Sequence, residues 1–499
     1  MTVVTESNPA VRSFLERQPK KMLIDGRWVQ AISGRTFETF NPATGKLLAS
    51  VAEADREDID RAVNAARCAF QGAWAKVKPS GRQRFLLRLA ELVEANVDEL
   101  AVLEVLDSGI PISLARGGLV PRAAELLRYY AGWATKIHGE TIENSVPGEY
   151  FTYTLREPVG VVGAIVPWNS PLVIAIWKLA PALATGCTVV LKPAEQTPLS
   201  ALRLGELILE AGFPEGVVNI CPGFGPIAGA ALAEHDDIDK LAFTGSYQTG
   251  RSIVKASAGN LKRLSLELGG KSPDIVFADT DLDQAVPGAA WGIFRLSGQI
   301  CCGGSRLFVE KRIHHEFVSR LAEYASSILV GNGLDSSTQM GPLISQKQLD
   351  RVSSYIHSGE EEGAKLISGG KRLEDNEFKN GYFLPPTVFN YVRMDMRIAQ
   401  EEIFGPVISV IPFDEIDEVT TLSNSTHYGL AGGIWTKDLR KAHRVAKALQ
   451  AGVVWVNCFN VLDPAVPFGG IKMSGYGRES GFHALDLYTQ VKSVCINIT

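Results

Sequence analysis

The sequence predicts an α/β protein built on a doubly wound parallel sheet, with a second α/β unit after it. Three observations carry this. From about residue 159, short β-branched runs alternate with segments of helical period. Those runs are apolar nearly throughout, as strands are when helices cover both faces of a parallel sheet. A second series of the same kind begins after residue 270, and 499 residues are enough for more than one core.

In chain order, residues 20 to 140 read as mainly helical. In "EDIDRAVNAARCAFQGAW", Ile59, Ala62, Val63, Ala66 and Phe70 fall on one helix face. "SGRQRFLLRLAELVEANVDELAVLEVLDSG" reads as the next helix, with Ser80 as N-cap, apolar residues at Phe85, Leu89, Leu92 and Val93, and a stop near Gly109. "VGVVGAIV", "CTVVLKP", "GVVNICP", "DKLAFTG" and "KRLSLEL" then read as strands. Between them, "PLVIAIWKLAPALATG", "PLSALRLGELILEAG", "PIAGAALAEH" and "GRSIVKASAG" read as helices. Such units bind ligands at the carboxyl ends of their strands. The second series offers "PDIVFAD", "SRLFVEK", "FLPPTVF", "PVISVIPF", "GGIWTKD" and "GVVWVNC" as strands.

Composition excludes several classes. Hydrophobic residues make up 45% and charged residues 21%, and no low-complexity tract is present, so the chain is of ordinary globular type. The most apolar neighbourhood is broken by Pro167, Asn169 and Pro171, too early for the roughly 20 apolar residues of a membrane span. The N-terminus has no signal-like segment, and the expected compartment is the cytoplasm. A net charge of -5 and no clustered Lys and Arg argue against nucleic acid as partner. Cysteines at 68, 187, 221, 301, 302, 458 and 495 have neither metal-ligand spacing nor an even count, so neither a metal site nor a disulfide framework is expected.

Several motifs stand at strand ends. In "GSYQTGRS", Gly245 and Gly250 have P-loop spacing, but Arg251 stands where a phosphate-binding Lys is needed. The turn could still admit a pyrophosphate to a helix N-terminus, and a plain βα turn explains it equally. "GFGPIAG" places Gly223, Gly225 and Gly229 one residue off the dinucleotide spacing. In "LKPAEQTP", Lys192 could meet ribose or phosphate. Glu195 could accept from an adenosine 2'-hydroxyl and repel a 2'-phosphate, which favours NAD over NADP; a solvated loop pair fits the same residues as well. Glu267, in "LSLELGGK", is a surface charge or a general base, and Asn169, in "PWN", a turn former or an amide aimed at an oxyanion. Adjacent cysteines in "SGQICCGGSR" are poorly placed for a disulfide, because trans-linked Cα atoms sit about 3.8 Å apart. Successive side chains in extended backbone point opposite ways, so at most one of Cys301 and Cys302 faces a given cleft. Local chemistry does not say which.

Together, "PWN" at 167, "KPAEQTP" at 192, "FTGS" at 243, "LELGGKSP" at 266, "GQICCGGSR" at 298, "EEIFGPV" at 401 and "PFGGIKMSGYGRE" at 467 resemble the aldehyde dehydrogenase superfamily in order and spacing. The resemblance implies a Rossmann-like dinucleotide-binding domain (1–139 and 159–269), a catalytic domain carrying the nucleophile (270–472) and a small β oligomerisation element (140–158 and 483–499). It makes Cys301 the nucleophile, Glu267 the general base, Asn169 the oxyanion-stabilising amide and Lys178 a proton-relay residue. Trp168, Lys192, Glu195, Gly225, Gly245, Ser246, Gly250, Glu402 and Phe404 are the implied dinucleotide contacts. The implied reaction is NAD-dependent oxidation of an aldehyde to a carboxylic acid through a thioester on Cys301, hydrolysed by water that Glu267 activates. CoA-acylating dehydrogenases of similar fold typically lack that glutamate. A P-loop NTPase would depend on Gly250 and not on Cys301, and a non-enzymatic binding protein on this fold would need none of the chemical set. Ser170, Trp177, Phe294, Phe459, Asn460 and Leu462 match positions that can line the aldehyde channel, and a small Ser170 beside aromatic walls implies a hydrophobic aldehyde. Gly303 and Gly333, where the family usually has Ala and Pro, imply looser local backbone. A homodimer or homotetramer is expected.

Overall fold

The computed structural model describes residues 8–499. Five parallel strands, Arg263–Glu267, Lys240–Thr244, Val161–Ile165, Thr188–Lys192 and Val218–Ile220, lie side by side in that order. The chain starts at Val161–Ile165, builds outward to Val218–Ile220, then returns to the opposite flank. Strand order therefore reverses between Val161–Ile165 and Lys240–Thr244, and such a reversal opens a crevice at the strands' carboxyl ends. All five strands of this expected unit and the helices between them form where the alternation placed them.

The N-terminal part departs from expectation. It is not mainly helical at its start: Met22–Ile24 and Arg27–Val29 form a hairpin that extends the same sheet, and Thr36–Phe40 pairs with Leu47–Ala52. The first hairpin turns at Asp25 (φ 52°) and Gly26 (φ 70°), the Asp-Gly signature of a two-residue turn whose short strands leave little periodicity to read. Helix Arg56–Gln71 buries Ile59, Ala62, Val63 and Ala66 as expected. The next expected helix is two, Pro79–Ala95 and Val97–Ser108. Ser80 is not the cap; Pro79, whose fixed φ suits a first turn, takes the first helical position. The break falls at Asn96, whose Nδ2 donates to the Leu92 carbonyl at 2.8 Å, and Gly109 (φ 79°) ends the second helix.

Helix Val97–Ser108 is buried almost throughout and holds two acids that brace the crevice. Glu104 Oε1 accepts the Leu172 N–H at 3.3 Å, and Asp107 Oδ2 accepts the Leu199 N–H at 2.8 Å. Neither receiving helix, Pro171–Thr185 or Leu199–Glu210, has a side-chain cap of its own. Asp107 also accepts from Thr39 Oγ1 at 3.1 Å. Asp107→Ala therefore leaves the buried Leu199 N–H unpaired and is expected to cost about 2 kcal/mol, read as a lowered denaturation midpoint. Asp107→Asn keeps an acceptor and is expected to stay close to the parent; equal midpoints for Ala and parent would refute the capping role.

The second sheet orders Thr387–Asn390, Val407–Phe413, Arg306–Glu310, Pro273–Val276, Ala431–Trp435 and Val453–Val456 in parallel. Lys365–Ser368, an unexpected antiparallel strand with a bulge, lies at its edge. Gly333 is tight rather than loose: a Cβ there would lie 2.2 Å from the Ile110 carbonyl oxygen. A third sheet pairs Thr489–Asn497 with Tyr150–Pro158 and the latter with Thr141–Ile142, all within the chain. No helix among the described residues is long and apolar enough to cross a membrane.

Candidate active site

Between helix Leu282–Phe294 and strand Arg306–Glu310 the chain makes a constrained loop. Leu296 (φ 54°), Ser297 (φ 57°) and Gly298 (φ 71°) are consecutive left-handed residues, a conformation that persists in non-glycine residues only when surrounding contacts enforce it. Those contacts are present. Ser297 Oγ donates to the Gly341 carbonyl at 2.8 Å, Gln299 Nε2 donates to the Leu296 carbonyl at 3.2 Å, and Gln299 Oε1 accepts the Ile344 N–H at 2.9 Å. Beyond the loop, Cys301 is half-buried on a cavity wall, whereas Cys302 is buried and donates its thiol to Asn460 Oδ1 at 2.9 Å. One sulfur faces the cleft and the other packs, and the geometry selects Cys301 as the accessible one.

Glu267 approaches the same cavity from the end of its strand. It is 4% exposed, and its Oε2 has no partner among the described residues. The glycines after it are required by close approach. A Cβ on Gly269 would meet Glu402 Oε2 at 2.1 Å, and one on Gly270 would meet the Cys301 carbonyl at 2.5 Å. Burial, then repulsion from Glu479, push the Glu267 carboxyl well above the ordinary range; Cys301 adds to the rise, while Lys178 and Arg478 oppose it. The Cys301 thiol is also raised, chiefly by its hydrogen bond with Cys302 and then by burial.

Asn169 Nδ2 donates to the Gln299 carbonyl at 2.9 Å, which holds the amide beside the cysteine loop. Lys178 forms a fully buried ion pair with Glu479. The cavity that Cys301, Glu267 and Asn169 share measures about 320 Å³ and also meets Trp177, Phe468, Glu402 and Phe404. Trp177 and Phe468 have ring centroids 5.4 Å apart, and Phe404 stands edge-on to Trp168 at 5.2 Å.

Through Trp168, Gly245 and Ser246 this cavity joins a second of about 560 Å³, sited at the strand-order reversal. Its wall includes Lys192, Glu195 and Gly225. Lys192 is buried, donates Nζ to the Pro193 and Gly223 carbonyls at 2.8 and 2.7 Å, and is lowered by that burial to about 8. Ser246 is the N-cap of helix Tyr247–Ala256, and Gly225 has open space where a Cβ would stand. The pair of cavities is large enough for a dinucleotide and a small substrate, and it offers a helix N-terminus and a buried cation at one end.

Two expected positions fall elsewhere. Gly250 does not border the cavity; it lies inside a helix, where a Cβ would press on Leu268 at 2.9 Å. With only a short turn before that helix, the P-loop cradle is absent as well. Phe294 is fully buried in the core behind the cysteine loop and lines no channel, because the helix carrying it turns that face to the second sheet. Ser170 takes the N-cap position of helix Pro171–Thr185, Phe459 packs tilted against Trp455 with centroids 5.0 Å apart, and the Leu462 carbonyl accepts from Arg122 at 2.9 Å. Sequence reasoning missed Glu479, although it follows directly on the "PFGGIKMSGYGRE" segment's final Arg. It also missed Gln348 and Arg351, which donate to the Phe404 carbonyl at 2.7 Å and the Glu402 carbonyl at 2.6 Å and so hold that loop against the cavity.

The aldehyde dehydrogenase family model matches residues 28–494. The chain belongs to the aldehyde dehydrogenase family. Its relatives include the mitochondrial aldehyde dehydrogenase of Homo sapiens, 50% identical over 99% of this chain and 95% of that protein. An Aspergillus niger aldehyde dehydrogenase is 51% identical over 96% of this chain and 95% of that one. Among solved structures, the NAD+ complex of a Bacillus cereus aldehyde dehydrogenase superposes with a TM-score of 0.96 at 52% identity, covering 99% of both chains. Family membership accounts for the paired cavities and for the convergence of "PWN", "LELGG", "GQICC" and "EEIFGP" on one crevice.

Proposed function

We propose that this aldehyde dehydrogenase oxidises aldehydes to carboxylic acids with NAD+, by covalent catalysis at Cys301 and hydrolysis assisted by Glu267. The observation that carries it is that Cys301 and Glu267, whose Oε2 has no partner among the described residues, line one cavity, which shares Trp168, Gly245 and Ser246 with a dinucleotide-sized second one.

Cys301 attacks the aldehyde carbon as thiolate, its proton passing to Glu267. A thiolate and a carboxylate this close disfavour joint ionisation, so one proton is readily handed between them. Asn169 Nδ2 and the Cys301 backbone N–H stabilise the oxyanion, each such donor contributing about 3 kcal/mol in comparable sites. Bound NAD+ supplies the ring that accepts hydride from the substrate carbon. Once the Cys301 proton has left it, Glu267 takes a proton from water as that water attacks the Cys301 thioester; the acid forms, the sulfur departs as thiolate, and Glu267 returns the proton to restore the thiol. The Lys178–Glu479 pair borders Glu267 electrostatically and offers the proton taken from Cys301 a route onward before hydrolysis. Glu267 in the cavity supports release to water over transfer to CoA.

Lys192, Glu195, Gly225, Gly245 and Ser246 hold the adenosine and pyrophosphate end, and Trp168, Glu402 and Phe404 the nicotinamide end. We read the dinucleotide-binding unit as 1–139 with 159–269, residues 1–7 of it lying outside the described residues, and the catalytic unit as 270–472. Glu195→Gln removes a charge that repels a 2'-phosphate, so the NADP-to-NAD ratio of kcat/KM is expected to rise about tenfold. An unchanged ratio would place the ribose elsewhere.

The aromatic wall of Trp177 and Phe468 favours a hydrophobic aldehyde. Strand Thr489–Asn497 is an edge strand with Val491 and Ile496 exposed, which supports assembly into a homodimer or homotetramer through this sheet. Seven unpaired cysteines fit a reducing cytoplasm. The test is NADH formation across an aldehyde panel, with and without CoA. Aliphatic and aromatic aldehydes are expected to outpace small charged semialdehydes with no need for CoA; strict dependence on CoA would overturn the hydrolytic assignment.

A further inference from the structure

A buried basic cluster lies behind the active site and takes no part in the chemistry above. Lys271 and Arg306 are each 1% exposed. Arg306 donates Nε to the Lys271 carbonyl at 2.8 Å, Nη1 to the Leu422 carbonyl at 3.1 Å and Nη2 to the Ser423 carbonyl at 2.7 Å. Its charge therefore meets carbonyl dipoles and, among the described residues, no ion-pairing carboxylate. Within the same set of residues Lys271 Nζ has no hydrogen-bond partner, and neither have Ser272 Oγ and Ser423 Oγ, all of them buried. Lys271, Ser272, Arg306 and Ser423 line one pocket of about 10 Å³, room for a single water-sized particle.

Lys271 Nζ and two unpaired hydroxyls around a one-particle pocket are donors awaiting an acceptor, beside a guanidinium whose Nε, Nη1 and Nη2 each already donate to a carbonyl. A water there would accept hydrogen bonds and leave the Arg306 charge, and that of Lys271 when protonated, without a counter-ion in the pocket, which is costly in a low-dielectric interior. A monatomic anion answers both needs. Glu401 and Glu402 act on Lys271 electrostatically without pairing with it, while burial and the like charge of Arg306 lower it to about 7. We propose that the pocket bounded by Lys271, Ser272, Arg306 and Ser423 is a structural site for one halide ion, chloride under ordinary conditions. It also braces the active site: Gly270, adjoining Lys271, donates its N–H to Glu402 Oε1 at 3.1 Å and backs on the Cys301 carbonyl. The site rests on packing and charge alone, so it stands or falls separately from the catalytic assignments.

The test is a crystal of the intact protein soaked in sodium bromide, with anomalous scattering recorded at the bromine edge. A bromide peak within hydrogen-bond distance of Lys271 Nζ is expected. In parallel, the melting midpoint should rise by about 1 °C per tenfold increase in chloride over a gluconate background. The Ser272→Ala/Ser423→Ala double variant, which keeps both cations, should lose most of that rise, and Lys271→Met all of it. A water without anomalous signal in the pocket, or bromide at the surface as an adventitious ion only, would overturn the site. So would a chloride dependence identical in the double variant and the parent. Should Lys271→Met fail to fold, the bromide map and the double variant still decide.

Discussion

Cys301→Ala is expected to abolish aldehyde oxidation, lowering kcat/KM by about 10⁴-fold or more, because no covalent intermediate can form without the sulfur. The neighbouring thiol cannot take over. Cys302 is 3% exposed and already donates to Asn460 Oδ1, so its sulfur is turned from the cavity. Cys302→Ala should therefore keep most of the activity, while NAD binding, followed by fluorescence, should be unchanged in both variants. Loss of activity on changing Cys302 with Cys301→Ala still active would reverse the assignment.

Glu267→Gln is expected to separate the two half-reactions. Hydride departure leaves a thioester that needs an activated water, and the glutamine amide cannot take the proton. Steady-state turnover should fall about 10²- to 10³-fold, with a first turnover of NADH released as a burst in rapid-mixing experiments. The pH dependence carries the same signature. Burial and Glu479 raise the Glu267 carboxyl well above its usual 4.5, so the parent's rate should fall as pH drops through that raised value. The glutamine variant should lack this limb. Linkage has a matching sign: a carboxyl that binds its proton more tightly when folded makes the parent less stable as pH rises from 4.5 toward the raised value, and Glu267→Gln should remove that slope. A parent-like turnover and pH profile in the variant would assign the base elsewhere.

Much of this was legible in the sequence because parallel strands covered on both faces are nearly all apolar, a signal that survives without neighbours. "VGVVGAIV" and "DKLAFTG" became the two strands that flank the crevice. The hairpin at Asp25–Gly26 and the edge strand Lys365–Ser368 were not legible by period: Met22–Ile24 is buried throughout, Arg27–Val29 and Lys365–Ser368 are largely part-exposed, and each is too short to show an alternation. Local chemistry left Cys301 and Cys302 alike and the family resemblance selected Cys301; the fold adds the physical reason, since Asn460, 158 residues away in the chain, engages Cys302. Glu479 was hidden for the same reason, since its pairing with Lys178 spans 301 residues. Gly250 shows the opposite error, a motif glycine whose spacing suited a ligand and whose packing serves Leu268.

The most direct test of covalent catalysis is to mix Glu267→Gln protein with NAD+ and an aliphatic aldehyde, quench after one turnover, and map the acylated peptide by mass spectrometry. An acyl group on Cys301, in stoichiometry with the NADH burst, is the predicted result. An acyl group on Cys302, or a full NADH burst with no acylated cysteine, would contradict it.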